Sequence, residues 1–100
     1  MAPATLIWSD PALDDLDEIA AHIALDKPAA AAALVERVLT AVERVRAQPS
    51  SGRSVAELPK RQYLEVVVAP CRIVYRREGA AVLIVHVFRG ERQLRKRSLR

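Results

Sequence analysis

Tyr63 to Arg89 reads YLEVVVAPCRIVYRREGAAVLIVHVFR, and the hydrophobic period of this stretch decides the fold. It is rich in Val, Ile and Tyr, whose shapes suit a pleated, half-buried surface. Ala69-Pro70 and Glu78-Gly79-Ala80 divide it into three expected strands, Tyr63–Val68, Arg72–Arg77 and Val82–Phe88. Links this short join antiparallel neighbours, so a meander is expected. In the middle strand Arg72, Val74 and Arg76 share one face, and Ile73 and Tyr75 share the other. The sheet should therefore offer an apolar face for covering elements and a partly cationic face for something else. Tyr63 and Tyr75 read as packing residues, Cys71 as a small apolar filler and Glu65 as an exposed strand residue. The face taken by His86 stays open.

Upstream the period changes to that of helices. Ala4–Trp8 is a short apolar strand candidate, closed by Ser9-Asp10-Pro11. Asp10 is expected as N-cap, and Pro11 loses no hydrogen bond in a first turn. Leu13, Leu16, Ile19, Ala20, Ile23 and Ala24 form a stripe on a helix over 11–25, with four acids in its first turns, where the dipole favours them. After Asp26-Lys27-Pro28 a second helix is expected from Pro28 to Ala47, burying Ala31, Leu34, Val35, Val38, Val42 and Val45. The short link makes the pair an antiparallel hairpin. Gln48-Pro49-Ser50-Ser51-Gly52 ends it, and Arg53–Lys60 reads as a connection without period. The expected class is α+β in the order βααβββ: a four-strand, mainly antiparallel sheet with the helical hairpin on one face. Residues 1–100 read as one domain, with 89–100 a basic tail.

Composition narrows the chemistry. Of 100 residues 51% are hydrophobic but only 4% aromatic, so Leu, Val, Ile and Ala must fill the core. A single cysteine gives neither an internal disulfide nor a cysteine-based zinc site, and no metal or cofactor is expected. No apolar run reaches the roughly 20 residues that a bilayer requires. The first residues lack the pattern of a secretory signal, so a cytoplasmic setting is the expectation. The net charge of +4 hides a strong asymmetry. Residues 1–26 carry six acids and no Lys or Arg, a charge of −6, whereas residues 27–100 carry +10. A molecule polarised in this way meets an acidic partner, protein or nucleic acid, on one side.

The order of elements and six short pieces within it resemble the RelE/ParE toxin superfamily, and its ParE-like branch in particular. The pieces are the strand ending in Trp8 with the helix start Ala12–Ile19, Ala32-Ala33, and Gln48-Pro49-Ser50-Ser51-Gly52-Arg53, which is similar to the family's P-x-x-G-R. They continue with Leu64-Glu65-Val66, with Cys71–Arg76, similar to Y-R-I-x-Y-R, and with Val85–Arg92, similar to R-V-x-H-G-x-R. The sequence departs from those patterns at Leu64, Cys71 and Arg89. The resemblance implies a type II toxin in a hetero-oligomer with a ParD-like antitoxin, whose flexible acidic C-terminal segment folds onto the toxin.

Two activities are implied by that resemblance, poisoning of DNA gyrase and ribosome-dependent cleavage of messenger RNA. A third reading from another class is a non-toxic basic module that binds an acidic protein or nucleic acid. RNA cleavage by a 2′-hydroxyl needs a base, an acid and cations around the phosphate. Arg72, Arg76, Arg89 and Arg92 are expected to converge and supply the cations, but Arg89–Arg100 contains neither Tyr nor His. His22 is expected on the far side of the molecule from them. A gyrase poison needs no proton shuttle, only a firm basic surface against a protein–DNA intermediate. The target- or antitoxin-binding candidates are accordingly Arg72, Arg76, Arg89, Arg92, Arg95 and Lys96. Gyrase poisoning is the leading expectation, and the chain then leans away from being an enzyme.

Overall fold

The computed structural model describes residues 4–55 and 63–90. Along the chain run β1 (Thr5–Trp8), α1 (Asp10–Ala24), α2 (Pro28–Ala47), β2 (Arg53–Ser54), β3 (Leu64–Val68), β4 (Cys71–Glu78) and β5 (Ala81–Arg89). They form one five-stranded sheet in the order β1-β5-β4-β3-β2. The meander β3-β4-β5 is antiparallel as expected, and β1 joins its far edge in parallel with β5. The fifth strand is the two-residue β2, which lies in the stretch read as an aperiodic connection. Two residues are too few to display a period of two, so the pairing was not visible in the sequence.

Both helices cover one face. Leu34, Val38, Val42 and Val45 of α2 pack with Ala12 and Leu16 of α1 onto Ile73, Tyr75, Val82, Ile84 and Val87. The phase of α1 differs from the expected one. Ala12 is fully buried while Leu13 is 45% exposed, so the inward row is Ala12, Leu16, Ile19 and Ile23. Ser9, rather than Asp10, caps the helix, accepting from the Ala12 amide at 3.1 Å and donating to the Val85 carbonyl at 2.8 Å. That second bond anchors the start of α1 to β5, and the small Ala12 side chain fits where the two meet closely.

A bulge shapes β5. Val74 pairs with His86 but Tyr75 pairs with Ile84, which leaves Val85 as the extra residue. The alternation is thereby reset, so Ile84 and Val87, three apart, both face the helices. On the other side of the sheet Val55, Tyr63, Val74 and Val85 form a second, smaller buried cluster, flanked by Leu83 and Phe88. The face expected to be partly cationic is therefore apolar in part as well.

Candidate functional site

The outer face of β3 and β4 holds a buried ion pair. Glu65 is only 3% exposed and accepts two hydrogen bonds from Arg72, Nε to Oε2 at 2.9 Å and Nη2 to Oε1 at 2.8 Å. This correction to the expected exposed glutamate has a simple origin in the hairpin. The Ala69-Pro70 link pairs Val67 with Arg72 and Glu65 with Val74. Glu65 and Arg72 are thus diagonal neighbours on one face, within reach of long side chains. A forked pair of this kind is short, directional and strong. Arg53 of β2 adds a third member, with Nη2 3.7 Å from Glu65 Oε2, and is itself mostly exposed.

A second set of bonds holds Arg53 in place. The Tyr75 hydroxyl lies under the turn after α2, where it donates to the Pro49 carbonyl and accepts from the Gly52 amide, both at 2.9 Å. Gly52 has no room for a side chain, since a Cβ there would collide with the Tyr75 hydroxyl and approach the Glu65 carbonyl to 2.9 Å. The Pro-Ser-Ser-Gly-Arg sequence is thus a turn clamped from below by one tyrosine. Burial pushes the Tyr75 hydroxyl above its ordinary pKa, against the opposing pull of the Gly52 amide.

Arg76 lies farther along the same face. Its Nη1 donates to the Tyr63 hydroxyl at 3.2 Å and its Nη2 pairs with Glu78 at 2.6 Å. The guanidinium carbon stands 5.9 Å from the Tyr63 ring centre, a cation–π distance. The Tyr63 hydrogen bond, with Glu78 behind it, holds Arg76 more firmly protonated than an isolated arginine.

Beyond Trp8, the β1 edge of β5 has no strand beside it among the described residues, and α1 fills the gap. Asp15 Oδ2 accepts from the Val87 amide at 3.0 Å and lies 2.9 Å from His86 Nδ1. His86 also stacks at a tilt on Phe88, with ring centres 5.3 Å apart. The histidine left open by the sequence therefore reaches round the edge to α1.

Arg89 does not join Arg72 and Arg76 as expected. It pairs with Cys71, a helix-facing residue, and lines a groove of about 520 Å³ with Asp15, Glu18, Ile19, His22 and Gly90. The bulge is the reason, because it changes which residues of β5 face outward. His22, expected far from these cations, shares that groove with Arg89. Burial raises the Cys71 thiol pKa, partly offset by Arg89 and Arg37. Arg92, Arg95 and Lys96 lie outside the described residues. Among the described residues there is no group of three or more His, Cys, Asp or Glu placed to hold a metal. No helix among them is long and apolar enough to cross a membrane.

A family profile described as the ParE toxin of the type II toxin–antitoxin system parDE matches residues 6–94. The chain belongs to the ParE toxin family. A Sinorhizobium fredii protein bearing the name toxin Y4kP is 45% identical over 53 residues, 53% of this chain and 55% of its own length. The chain thus spans about half the length of the curated relative it matches. Among solved structures, the chromosomal ParDE system of P. aeruginosa superposes with a TM-score of 0.75 at 22% identity, covering 88% of this chain and 97% of that one. The RelBE2 toxin–antitoxin complex of Mycobacterium tuberculosis gives 0.61 at 22%, with 89% and 93% covered. At that identity the superpositions establish a shared fold. For this ParE-family chain the P-x-x-G-R piece now has a physical content, the turn that Tyr75 clamps, and Leu64-Glu65-Val66 contains the buried carboxylate of Arg72.

Proposed function

We propose that this type II toxin arrests growth by poisoning DNA gyrase and is neutralised by a cognate antitoxin with an acidic, flexible C-terminal segment. The observation that carries the reading is the match to the ParE family across residues 6–94. Geometry supports it. Arg53 and Arg76 stand on a scaffold braced by the Glu65–Arg72 fork and the Tyr75 clamp, a rigid basic surface of the kind that holds a protein–DNA intermediate. In this reading Arg72, Arg76, Arg89, Arg92, Arg95 and Lys96 serve the target or the antitoxin. Residues 1–100 act as one domain, and the setting is the cytoplasm, where gyrase meets its DNA.

One observation favours a second reading, ribosome-dependent RNA cleavage. A carboxylate with guanidinium groups on the same face is also a composition that phosphodiester cleavage uses. Against it, both Glu65 oxygens are held by Arg72 and His86 Nδ1 is engaged by Asp15. Induced expression separates the two. Gyrase poisoning predicts the DNA-damage response, filamentation and trapped cleavage products when purified protein is added to gyrase and plasmid. Rapid loss of translation without that response overturns the gyrase reading, and growth without either effect leaves the non-toxic binding module.

A further inference from the structure

The two edges of the sheet differ in charge. Beside β3, Arg37 and Arg44 of α2 line a groove with Val66–Ala69. The other edge is β1, Thr5-Leu6-Ile7-Trp8, which carries no charged side chain, and among the described residues no strand lies on its far side. Strand edges left open are normally blunted by a charge, a proline or a bulge, and β1 has none of these.

The direction of its free backbone groups follows from β5. The Thr5 amide donates to the Ala80 carbonyl and the Ser9 amide to the Ile84 carbonyl, both at 3.0 Å. Odd-numbered residues therefore turn their amides and carbonyls to β5, and Leu6 and Trp8 turn theirs outward. The Ala4 amide points the same way but is taken by the Arg46 carbonyl at the end of α2. Among the side chains, Leu6 and Trp8 pack into the helix-side core, so Ile7 lies on the opposite face, beside its β5 partner Leu83. Ile7 is 46% exposed, and Leu83 borders the second buried cluster.

We infer that the β1 edge is a contact between two copies of this chain, pairing β1 with β1 antiparallel about a two-fold axis at Ile7. Leu6 of each copy exchanges both backbone bonds with Trp8 of the other, the register that engages both outward-facing residues. Ile7 then stands opposite Ile7 as a non-hydrogen-bonded pair, with Cα atoms about 4.5 Å apart. The same register sets Ala4 opposite Asp10. It brings the exposed Asp10 carboxylate toward the end of the other copy's α2, where Arg44 and Arg46 lie. A two-fold contact makes every such attraction twice, and this self-complementarity is the argument for a second copy as the occupant. Self-pairing at the β3 edge would instead set Arg37 and Arg44 against their own likes. The inference goes beyond the toxin reading and does not depend on which target is poisoned.

The test uses the full chain, freed of any partner. Sedimentation equilibrium should show a dimer that dissociates on dilution, and amide exchange at Leu6 and Trp8 should be at least tenfold slower in the dimer. Ile7→Lys sets two ammonium groups together on the axis and should raise the dimer dissociation constant at least tenfold. Ile7→Cys should cross-link to itself with oxidised glutathione, because the Cα spacing suits a disulfide. Thr5→Cys, also exposed, should not, since the register holds those positions roughly 13 Å apart. The native Cys71 is buried, and the unaltered chain is the control for it. A chain that stays monomeric at every concentration overturns the inference. A dimer that Ile7→Lys leaves intact does so too, as does cross-linking of Thr5→Cys as readily as Ile7→Cys. Cross-linking of Ile7→Cys alone supports the register even if the lysine variant unfolds.

Discussion

The two faces of the sheet are held by different physics. Toward the helices, Ile73, Tyr75, Val82, Ile84 and Val87 meet an aliphatic layer from α1 and α2. On the opposite face the same strands carry a buried forked ion pair, a cation over a tyrosine ring and a small apolar cluster. The first face is held by area removed from water, which is non-directional and tolerant of shape-conserving exchange. The second depends on individual donors and acceptors, where the loss of one partner strands the other. The surface proposed for targets is built on the less tolerant face.

The largest expected effect follows from that difference. Glu65→Ala removes the carboxylate that forks onto the largely buried Arg72 guanidinium, and should cost roughly 3–5 kcal/mol in denaturant unfolding. Replacing Glu65 and Arg72 together by methionine should recover most of that loss, because apolar pairs of similar volume substitute well for buried ions. If the double variant were as unstable as the single one, the two faces would differ less than the structure indicates. On the helix side Leu34→Ala should cost roughly 2–5 kcal/mol, with no comparable rescue available from any single neighbour.

These two sites also mark how far the sequence could be read. Leu34, Val38, Val42 and Val45 announce themselves by helical spacing, and Ile73 and Tyr75 by alternation, so the helix-covered face was legible in full outline. Glu65 was not, because its partner is set by cross-strand register, a quantity that depends on the geometry of the Ala69-Pro70 link. The same holds for Arg89 and His86. Both would have pointed elsewhere on an unbroken β5, and the bulge at Val85 leaves no mark in composition. Leu13 misled for a different reason. The larger side chain drew the helical phase, while Ser9 fixed it one residue earlier through its bond to β5.

Tyr75 belongs to both faces, with its ring in the helix-side core and its hydroxyl under the turn that presents Arg53. Tyr75→Phe removes only the hydroxyl and strands the Gly52 amide and the Pro49 carbonyl, a loss of about 1–3 kcal/mol. Gly52→Ala should be at least as harmful, because the turn must move. Tyr75 and Cys71 also set a pH dependence. Both have raised pKa values in the folded chain, so as pH rises through about 8.5 to 10 the unfolded chain releases protons that the folded one retains. Stability is then lost with increasing pH across that window. Melting temperatures between pH 7 and 10.5 should fall, and should fall less steeply in Tyr75→Phe.

The smallest effect is the most exacting check on the comparison. Glu43 and Arg46 form a pair as short as that of Glu65 and Arg72, at 2.8 Å, but with 58% and 38% of their side chains exposed. If distance governed the energy, Glu43→Ala would approach the cost of Glu65→Ala. Exposure should govern it instead. Water already solvates both partners, holding two long side chains in one geometry costs entropy, and salt screens what remains. The expected loss is no more than about 0.5 kcal/mol, shrinking further in 1 M salt, where the Glu65 effect should persist. Equal salt sensitivity at the two sites would mean that Glu65 is reached by solvent, and the outer face would then be an ordinary charged surface rather than a braced one.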